Sequence, residues 1–161
     1  MIRKVDRRDI PACAALIRRS FMTVADTFGI TEANAPRFTA FATTPERLCR
    51  HMDAEHRPMF AWEEGGVLCG YYSLLIQQDG ACELNNLAVL PEYRHAGIGS
   101  RLLEHAFDTA RELGCHTMNI GIVEENAALR AWYERHGAIH TGTRKYDFFP
   151  FTCGYMEKKL V

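Results

Sequence analysis

The sequence lacks a long apolar run, a strong excess of charge of either sign and closely spaced cysteines. Spanning a bilayer takes about 20 consecutive apolar residues, and no stretch of this chain approaches that length, so no membrane helix is predicted. Lysine and arginine number 19 against 20 for aspartate and glutamate, which gives a net charge of −1. This balance favours neither nucleic acid nor an anionic membrane as a partner.

The start of the chain and its cysteines exclude further classes. Residues 1–9 carry charges with no apolar stretch behind them, so we expect no secretory signal and a cytoplasmic location. The six cysteines are scattered and form no C-x-x-C pair, whereas disulfide frameworks occur mainly in shorter chains with denser cysteine. Cys49 with His51 and Cys115 with His116 are isolated pairs, which do not make a zinc site. We therefore predict free thiols and no bound metal.

Length, composition and hydrophobic periodicity predict one domain over residues 1–161. The hydrophobic fraction of 47% and the charged fraction of 24% are ordinary for a globular protein. Strands are predicted at 2–5, 59–63, 67–76, 81–89, 117–123, 138–146 and 153–160, and helices at 10–21, 45–55, 97–113 and 126–136. This order, β-α-α-β-β-β-α-β-α-β-β, predicts an α/β (α+β) fold with a single mixed, mostly antiparallel sheet and helices on both faces.

The most informative segment joins the predicted strand 81–89 to the predicted helix 97–113. The chain enters this helix through Gly97 and Gly99, which are separated by one residue. Glycines keep side chains away from the point where successive backbone N–H groups converge, and a helix start carries a partial positive charge. The segment therefore predicts a binding site for a phosphate or pyrophosphate.

The two glycines complete neither of two common nucleotide-binding motifs. A P-loop needs a lysine directly after its last glycine, and none is present. A dinucleotide-binding fold needs a third glycine near the start of a βαβ unit, whereas Ser100, Arg101 and Leu102 follow here, after a predicted hairpin. A glycine-rich turn that only lets the helix pack closely stays open as an alternative to an anion site.

Two motifs at a characteristic separation identify a family resemblance. The run Arg94-His95-Ala96-Gly97-Ile98-Gly99 matches [RQ]-x-x-G-x-[GA], and Asn126 is followed seven residues later by Tyr133. With these motifs and this element order, the chain resembles the GNAT superfamily of N-acetyltransferases over essentially its whole length. The resemblance implies transfer of an acetyl group from acetyl-CoA to a primary amine of a small molecule or peptide, by direct attack in a ternary complex.

The resemblance also implies which residues hold acetyl-CoA. Backbone groups of the first motif and of the next residue would hold the pyrophosphate: Arg94, His95, Ala96, Gly97, Ile98, Gly99 and Ser100. The strand end Leu87, Ala88 and Val89 would pair with the amides of pantetheine like an added strand. Asn126 would both cap its helix and contact the cofactor. For the Arg94 side chain two interpretations stay open, a phosphate contact and a solvated loop arginine.

Glu83 and Tyr133 are the predicted catalytic residues. An alkylamine with a pKa of roughly 10 is mostly protonated near neutral pH, so it needs a proton acceptor. Glu83 lies four residues before Leu87, where the resemblance places a glutamate base, and a period of two residues puts it on the same face as Leu87 and Val89. Tyr133 would protonate the departing sulfur. A backbone N–H near residues 87–89 would stabilise the oxyanion.

Less specific interpretations of these residues stay open. Glu83 can be a solvent-facing glutamate, Tyr133 can be a packed tyrosine, and His95 can contact phosphate or be inert. No histidine is paired by its spacing with a serine or cysteine in a nucleophilic triad.

The acceptor side is indicated only by composition. Segments 21–41 and 146–151 are rich in aromatic residues and can line a pocket for an apolar or aromatic amine, with Asp26 or Asp147 meeting a cation. They can equally be core packing or a homodimer interface. Alternatives to an acetyltransferase are a non-catalytic acyl-CoA-binding or regulatory module and a transferase for a longer acyl-CoA. The presence of both Glu83 and Tyr133 favours the enzyme.

Overall fold

The structure is a computed structural model that describes residues 1–161. Its 7-stranded sheet has the order β1-β2-β3-β4-β5-β7-β6. The strands are β1 (Ile2–Lys4), β2 (Met59–Glu64), β3 (Val67–Ile76), β4 (Ala81–Val89), β5 (Thr117–Val123), β6 (Ile139–Lys145) and β7 (Thr152–Lys159). Only β4 and β5 pair in parallel, and every other neighbouring pair is antiparallel. The predicted mixed, mostly antiparallel sheet is confirmed.

Helices cover both faces of the sheet, as predicted. They are α1 (Ile10–Phe28), α2 (Thr39–Ala42), α3 (Pro45–Asp53), α4 (Ile98–Glu112) and α5 (Ala127–Arg135), with short 3₁₀ turns at Arg7–Asp9 and Pro91–Tyr93. One apolar cluster lies between the sheet and α4 and includes Leu102, Leu103 and Phe107, and it also contains Tyr133 of α5. A second lies between the sheet, α1 and α3 and includes Ile17 and Leu48.

The first helix begins at the predicted residue but ends later than predicted. It continues past Phe21 to Phe28 because no proline or glycine interrupts it before Gly29, which takes the left-handed conformation that ends many helices (φ 65°). Buried Ala25 packs this extra length against the protein. Asp9 makes no side-chain cap bond to α1. Its carboxylate instead pairs with Arg3 at 2.8 Å.

The apolar side of α4 is buried, whereas the leucine that follows the helix is exposed. Leu102, Leu103 and Phe107 are at most 1% exposed, whereas Leu113 is 51% exposed. Leu113 lies at the C-cap, after the helix has ended at Glu112, so the helical spacing no longer directs its side chain toward the sheet.

The parallel strands β4 and β5 separate halfway along β4. Their pairing runs from Ala81 with Thr117 to Leu84 with Ile120 and then stops. On its other side β4 pairs with β3 up to its last residue, with Gly70 opposite Val89. The backbone of β4 beyond Leu84 therefore has a free edge toward β5, and the start of α4 follows directly after this edge.

Candidate active site

A bulge in β4 changes which side chains share a face. Asn86 has a positive φ of 56°, and the β3 register shifts beside it, so that one extra residue is inserted into β4. Leu87 and Val89 pack against the same cluster as Leu84, the direct neighbour of Glu83. Glu83 therefore lies on the opposite face, and its predicted alignment with Leu87 and Val89 is wrong because the strand is not regular.

Glu83 is half-buried and is held by neutral hydrogen-bond donors. With its amide nitrogen turned to Glu83, Asn85 donates to Oε1 at 3.0 Å and its oxygen accepts from Arg57 at 3.2 Å. Gln77 Nε2 lies 3.5 Å from Oε2 of Glu83. Arg57 is itself fixed by Glu55 at 2.8 Å. Asn85 thus connects a half-buried cation to the predicted base, a link that the sequence did not reveal.

Tyr133 lies on the opposite face of the sheet from Glu83, in the cluster below α4 and α5. It is 6% exposed, and burial raises the pKa of its phenol above the ordinary value of 10, so the hydroxyl keeps its proton at neutral pH. Asn126 caps the same helix, since its Oδ1 accepts from the Leu129 N–H at 3.2 Å. The capping role predicted for Asn126 is therefore confirmed, and its amide nitrogen is not needed for the cap.

The start of α4 presents a run of backbone donors without backbone acceptors. The Arg94 N–H bonds to the Pro91 carbonyl at 3.3 Å, and the next such bond runs from the Arg101 N–H to the Gly97 carbonyl at 3.1 Å. The N–H groups of residues 95–100 therefore have no main-chain partner. Gly97 occupies the N-cap with φ 83°, and no side chain caps the helix. Such a concavity of N–H groups suits an anion.

The two glycines of this segment are present for different reasons. Gly97 has a backbone conformation that other residues rarely adopt. A Cβ on Gly99 would meet only Trp132 at 3.6 Å and Val89 at 3.8 Å, which are ordinary contacts, so packing of the protein does not require a glycine there. Its missing side chain leaves room in front of the helix. These donors and this space fit the pyrophosphate of acetyl-CoA.

The Arg94 side chain points into the protein rather than toward this anion site. Its Nε donates to the Val89 carbonyl at 3.0 Å, and its two terminal nitrogens donate to Thr23 Oγ1 at 3.0 Å and to Ser20 O and Oγ at 3.1 Å. Burial lowers the pKa of the guanidinium from its usual value. The side chain is therefore neither a phosphate contact nor a solvated loop arginine, the two interpretations that the sequence left open. Arg94 instead anchors the end of β4 to α1.

A hydrogen-bonded chain of three side chains adjoins the start of α4. Ser100 Oγ lies 3.1 Å from His136 Nε2, and His136 Nδ1 lies 3.1 Å from Glu104 Oε1. Sequence spacing indicated no such arrangement, because His136 follows 36 residues after Ser100. The sequence indicated only that Ser100 and Glu104, four residues apart on one helix, would lie next to each other. His95 is exposed on the loop with φ 64°.

The aromatic segments on the predicted acceptor side pack mainly against one another. Phe38 contacts Phe21 at 6.1 Å and Phe151 at 5.6 Å between ring centroids, and Phe38 and Phe151 are each 6% exposed. Asp26 and Asp147 are exposed. Core packing therefore accounts for these three phenylalanines, and they do not line an open pocket.

Three further structural findings concern metal ligands, membrane helices and cysteines. The structure contains no group of three or more histidine, cysteine, aspartate or glutamate side chains arranged to hold a metal ion. None of its helices combines the length and the apolar character needed to cross a membrane. All six cysteines are free thiols.

Comparison with known sequences identifies related acetyltransferases. The model of the acetyltransferase (GNAT) family matches residues 27–138. A [ribosomal protein bS18]-alanine N-acetyltransferase of Escherichia coli (strain K12) is 37% identical over 95 residues, which span 59% of this chain and 63% of that protein. The match thus covers less than two thirds of the relative. A putative enzyme of the same description from Bacillus subtilis (strain 168) is 25% identical over 77% of this chain and 82% of its own.

Solved structures share the fold over nearly the whole chain. The ribosomal-protein-S18-alanine N-acetyltransferase from Escherichia coli has a TM-score of 0.78 at 20% identity, covering 99% of this chain and 93% of its own. The PaiA N-acetyltransferase from Thermoplasma acidophilum, solved with coenzyme A, has a TM-score of 0.81 at 21% identity, covering 99% and 98%. A putative acetyltransferase from Salmonella typhimurium, solved with its cofactor acetyl-CoA, has a TM-score of 0.77 at 24% identity, covering 100% and 94%.

Proposed function

The chain belongs to the GNAT family of acetyltransferases, and on this premise we propose that it transfers an acetyl group from acetyl-CoA to a primary amine by direct attack in a ternary complex. The observation that carries the proposal is the run of unpaired N–H groups over residues 95–100, next to the free edge of β4. A non-catalytic acyl-CoA-binding module is not favoured, because the family is one of enzymes and the chain has both Glu83 and Tyr133.

The cofactor site follows from these two features. The N–H groups of residues 95–100 would bind the pyrophosphate, with Arg94 acting only as the support of the loop. Along β4, the N–H and C=O groups of Leu87 would pair with the pantetheine amides, whereas those of Ala88 face β3, as does the Leu90 N–H that bonds to the Cys69 carbonyl. The carbonyl of Val89 already accepts from Arg94, so only its N–H would take part. The amide nitrogen of Asn126 would provide a further donor.

The two catalytic residues have complementary tasks in this proposal. When bound, acetyl-CoA supplies the acetyl thioester. Glu83 takes the proton that the acceptor nitrogen loses as its bond to the acetyl carbon forms, directly or through a water molecule. Tyr133 gives its phenol proton to the sulfur as the carbon–sulfur bond breaks. A backbone N–H at residues 87–89 would stabilise the negative charge on the carbonyl oxygen.

An α-amine of a peptide is the first acceptor to test. By its name the Escherichia coli relative acts on an alanine of ribosomal protein bS18. In this chain the sheet face on the Glu83 side is open at Gly121, where a Cβ would have no neighbour within 4 Å. Tyr155, opposite Gly121 in the register, is 37% exposed. A peptide end has room on this face.

The test is a thiol-release assay with acetyl-CoA and a panel of alanine-terminated peptides, polyamines and small aromatic amines. We expect Tyr133→Phe to lower turnover by about 100-fold while CoA binding persists, in line with the usual contribution of a general acid. Glu83→Gln should shift the pH–rate profile, and a profile identical to that of the wild type would remove Glu83 as the base. Glu112→Gln, at the exposed far end of α4, is the matched control and should behave as wild type. Unchanged turnover in Tyr133→Phe would remove Tyr133 as the acid.

A further inference from the structure

The hydrogen-bonded chain of Ser100, His136 and Glu104 adjoins the proposed pyrophosphate site, because Ser100 is the last residue of the run of unpaired N–H groups. His136 is the C-cap of α5, its ring packs against Trp132 with centroids 4.8 Å apart, and its side chain is 18% exposed. Both ring nitrogens are engaged, Nε2 with Ser100 and Nδ1 with Glu104, each at 3.1 Å. The ring is therefore held in one orientation between the hydroxyl and the carboxylate.

Glu104 decides which ring nitrogen carries the proton of neutral His136. An ionised carboxylate only accepts hydrogen bonds, so the proton must be on Nδ1, and Nε2 must be an acceptor. Ser100 then donates its O–H to Nε2. In this state the hydroxyl could offer a phosphate only lone pairs, which repel an anion.

Protonation of His136 reverses the bond to Ser100. Nε2 then carries a proton and donates to Ser100 Oγ, so the hydroxyl hydrogen must turn to another acceptor. A phosphate oxygen in front of the first turn of α4 is such an acceptor. The imidazolium charge attracts the same anion, and the two effects favour the same protonation state.

The groups around His136 have opposite effects on its protonation. On α4, the Glu104 carboxylate stabilises a charged imidazole, and the Ser100 hydroxyl can form its hydrogen bond with either the neutral or the charged ring. On β7, the positive charge of Lys158 disfavours a positive charge on His136. Its Nζ donates to the main-chain oxygen of His136 at 3.0 Å and lies 5.0 Å from the centre of the Phe107 ring. From α5 itself, Trp132 provides an uncharged ring face. A bound pyrophosphate adds negative charge and shifts this balance toward the imidazolium.

We propose that His136 is a positioning residue that sets whether Ser100 donates to the pyrophosphate of CoA, so that cofactor binding takes up a proton on His136. The proposal rests on the proposed function, which places the pyrophosphate at the start of α4. Histidine is the side chain whose charge ordinarily changes near neutral pH. Because binding and protonation are linked, each favours the other by the same factor, and affinity falls as the pH rises.

The experiment is calorimetric titration of the full chain with dephospho-CoA in several buffers of different ionisation enthalpy. Dephospho-CoA keeps the pyrophosphate and lacks the phosphomonoester, whose own titration near about pH 6 would confuse the result. The dependence of the measured enthalpy on the buffer gives the protons taken up. We expect uptake of a fraction of a proton for the wild type near about pH 7, no uptake for His136→Gln, and unchanged uptake for the control His116→Gln, an exposed histidine before β5.

Ser100→Ala tests the hydroxyl without touching the histidine. We expect its affinity to be about tenfold below wild type at about pH 6, the size of a hydrogen bond to a charged group. Near about pH 8.5 the affinities should be similar, because the wild-type hydroxyl then already points to His136. An equal loss at both pH values, or uptake that persists in His136→Gln and disappears in His95→Gln, would overturn the proposal. Absence of binding by the wild type at every pH would instead refute the cofactor site itself.

Discussion

Replacing Arg94 with glutamine should destabilise the fold even in the absence of any ligand. The guanidinium makes four hydrogen bonds, to Val89 O, Thr23 Oγ1, Ser20 O and Ser20 Oγ. They join the end of β4 to α1 in a half-buried place, where a hydrogen bond contributes about 1 kcal/mol. Since glutamine cannot reach all four acceptors, we expect a loss of about 3 kcal/mol in the free energy of unfolding.

Thermal unfolding of the ligand-free protein measures this effect. For a chain of this size, about 3 kcal/mol corresponds to a melting temperature about 6–12 °C lower. Arg8→Gln is the control, because the Arg8 side chain is 88% exposed and should leave the melting temperature unchanged. If Arg94 contacted the phosphate directly, its loss would weaken CoA binding without lowering the melting temperature of the ligand-free protein. An unchanged melting temperature with strongly weakened CoA binding would refute the anchoring role.

Three further substitutions test separate features of the molecule. Gly99→Ala should leave the melting temperature unchanged, because its Cβ meets only ordinary contacts, yet weaken CoA binding about tenfold by placing a methyl group before the helix start. Asn86→Ala should be less stable than Asn86→Gly by about 1 kcal/mol in denaturant unfolding, because φ is 56° there. Burial lowers the pKa of His51 from 6.5 to about 4, so between these pH values the unfolded chain takes up a proton that the folded chain refuses. Stability should therefore fall by up to about 3 kcal/mol as the pH drops, and His51→Leu should remove most of this slope in unfolding curves recorded at each pH.

Periodicity predicted those elements whose limits depend on local sequence. The bounds of β3, β4 and β5 agree with their predictions to the residue. The predicted end of α1 is too early, because the residues after Phe21 have weak periodicity and their packing against distant Phe38 and Phe151 cannot be predicted from spacing. The bulge at Asn86 was missed for a related reason. It is defined by the register of β4 against β3, which no feature of β4 alone determines.

In the candidate site too, the sequence predicts the features formed by neighbouring residues and not those formed by residues far apart in the chain. The donor run at residues 95–100 is contiguous in sequence and could be predicted from its two glycines. The role of Arg94 depends on Ser20, 74 residues earlier, and the partner of Ser100 lies on another helix. Such pairs form only when α1 and α5 pack against the sheet, so composition and spacing do not indicate them. The catalytic roles of Glu83 and Tyr133 stay predictions.

The central claim is that the start of α4 binds the pyrophosphate of CoA. Thermal unfolding in the presence of CoA, dephospho-CoA or pantetheine, each at the same millimolar concentration, tests it most directly, because a ligand that binds only the folded state raises the melting temperature. CoA and dephospho-CoA should both stabilise the protein by several degrees, whereas pantetheine, which lacks the pyrophosphate, should not. No stabilisation by CoA, or equal stabilisation by pantetheine, would contradict the claim.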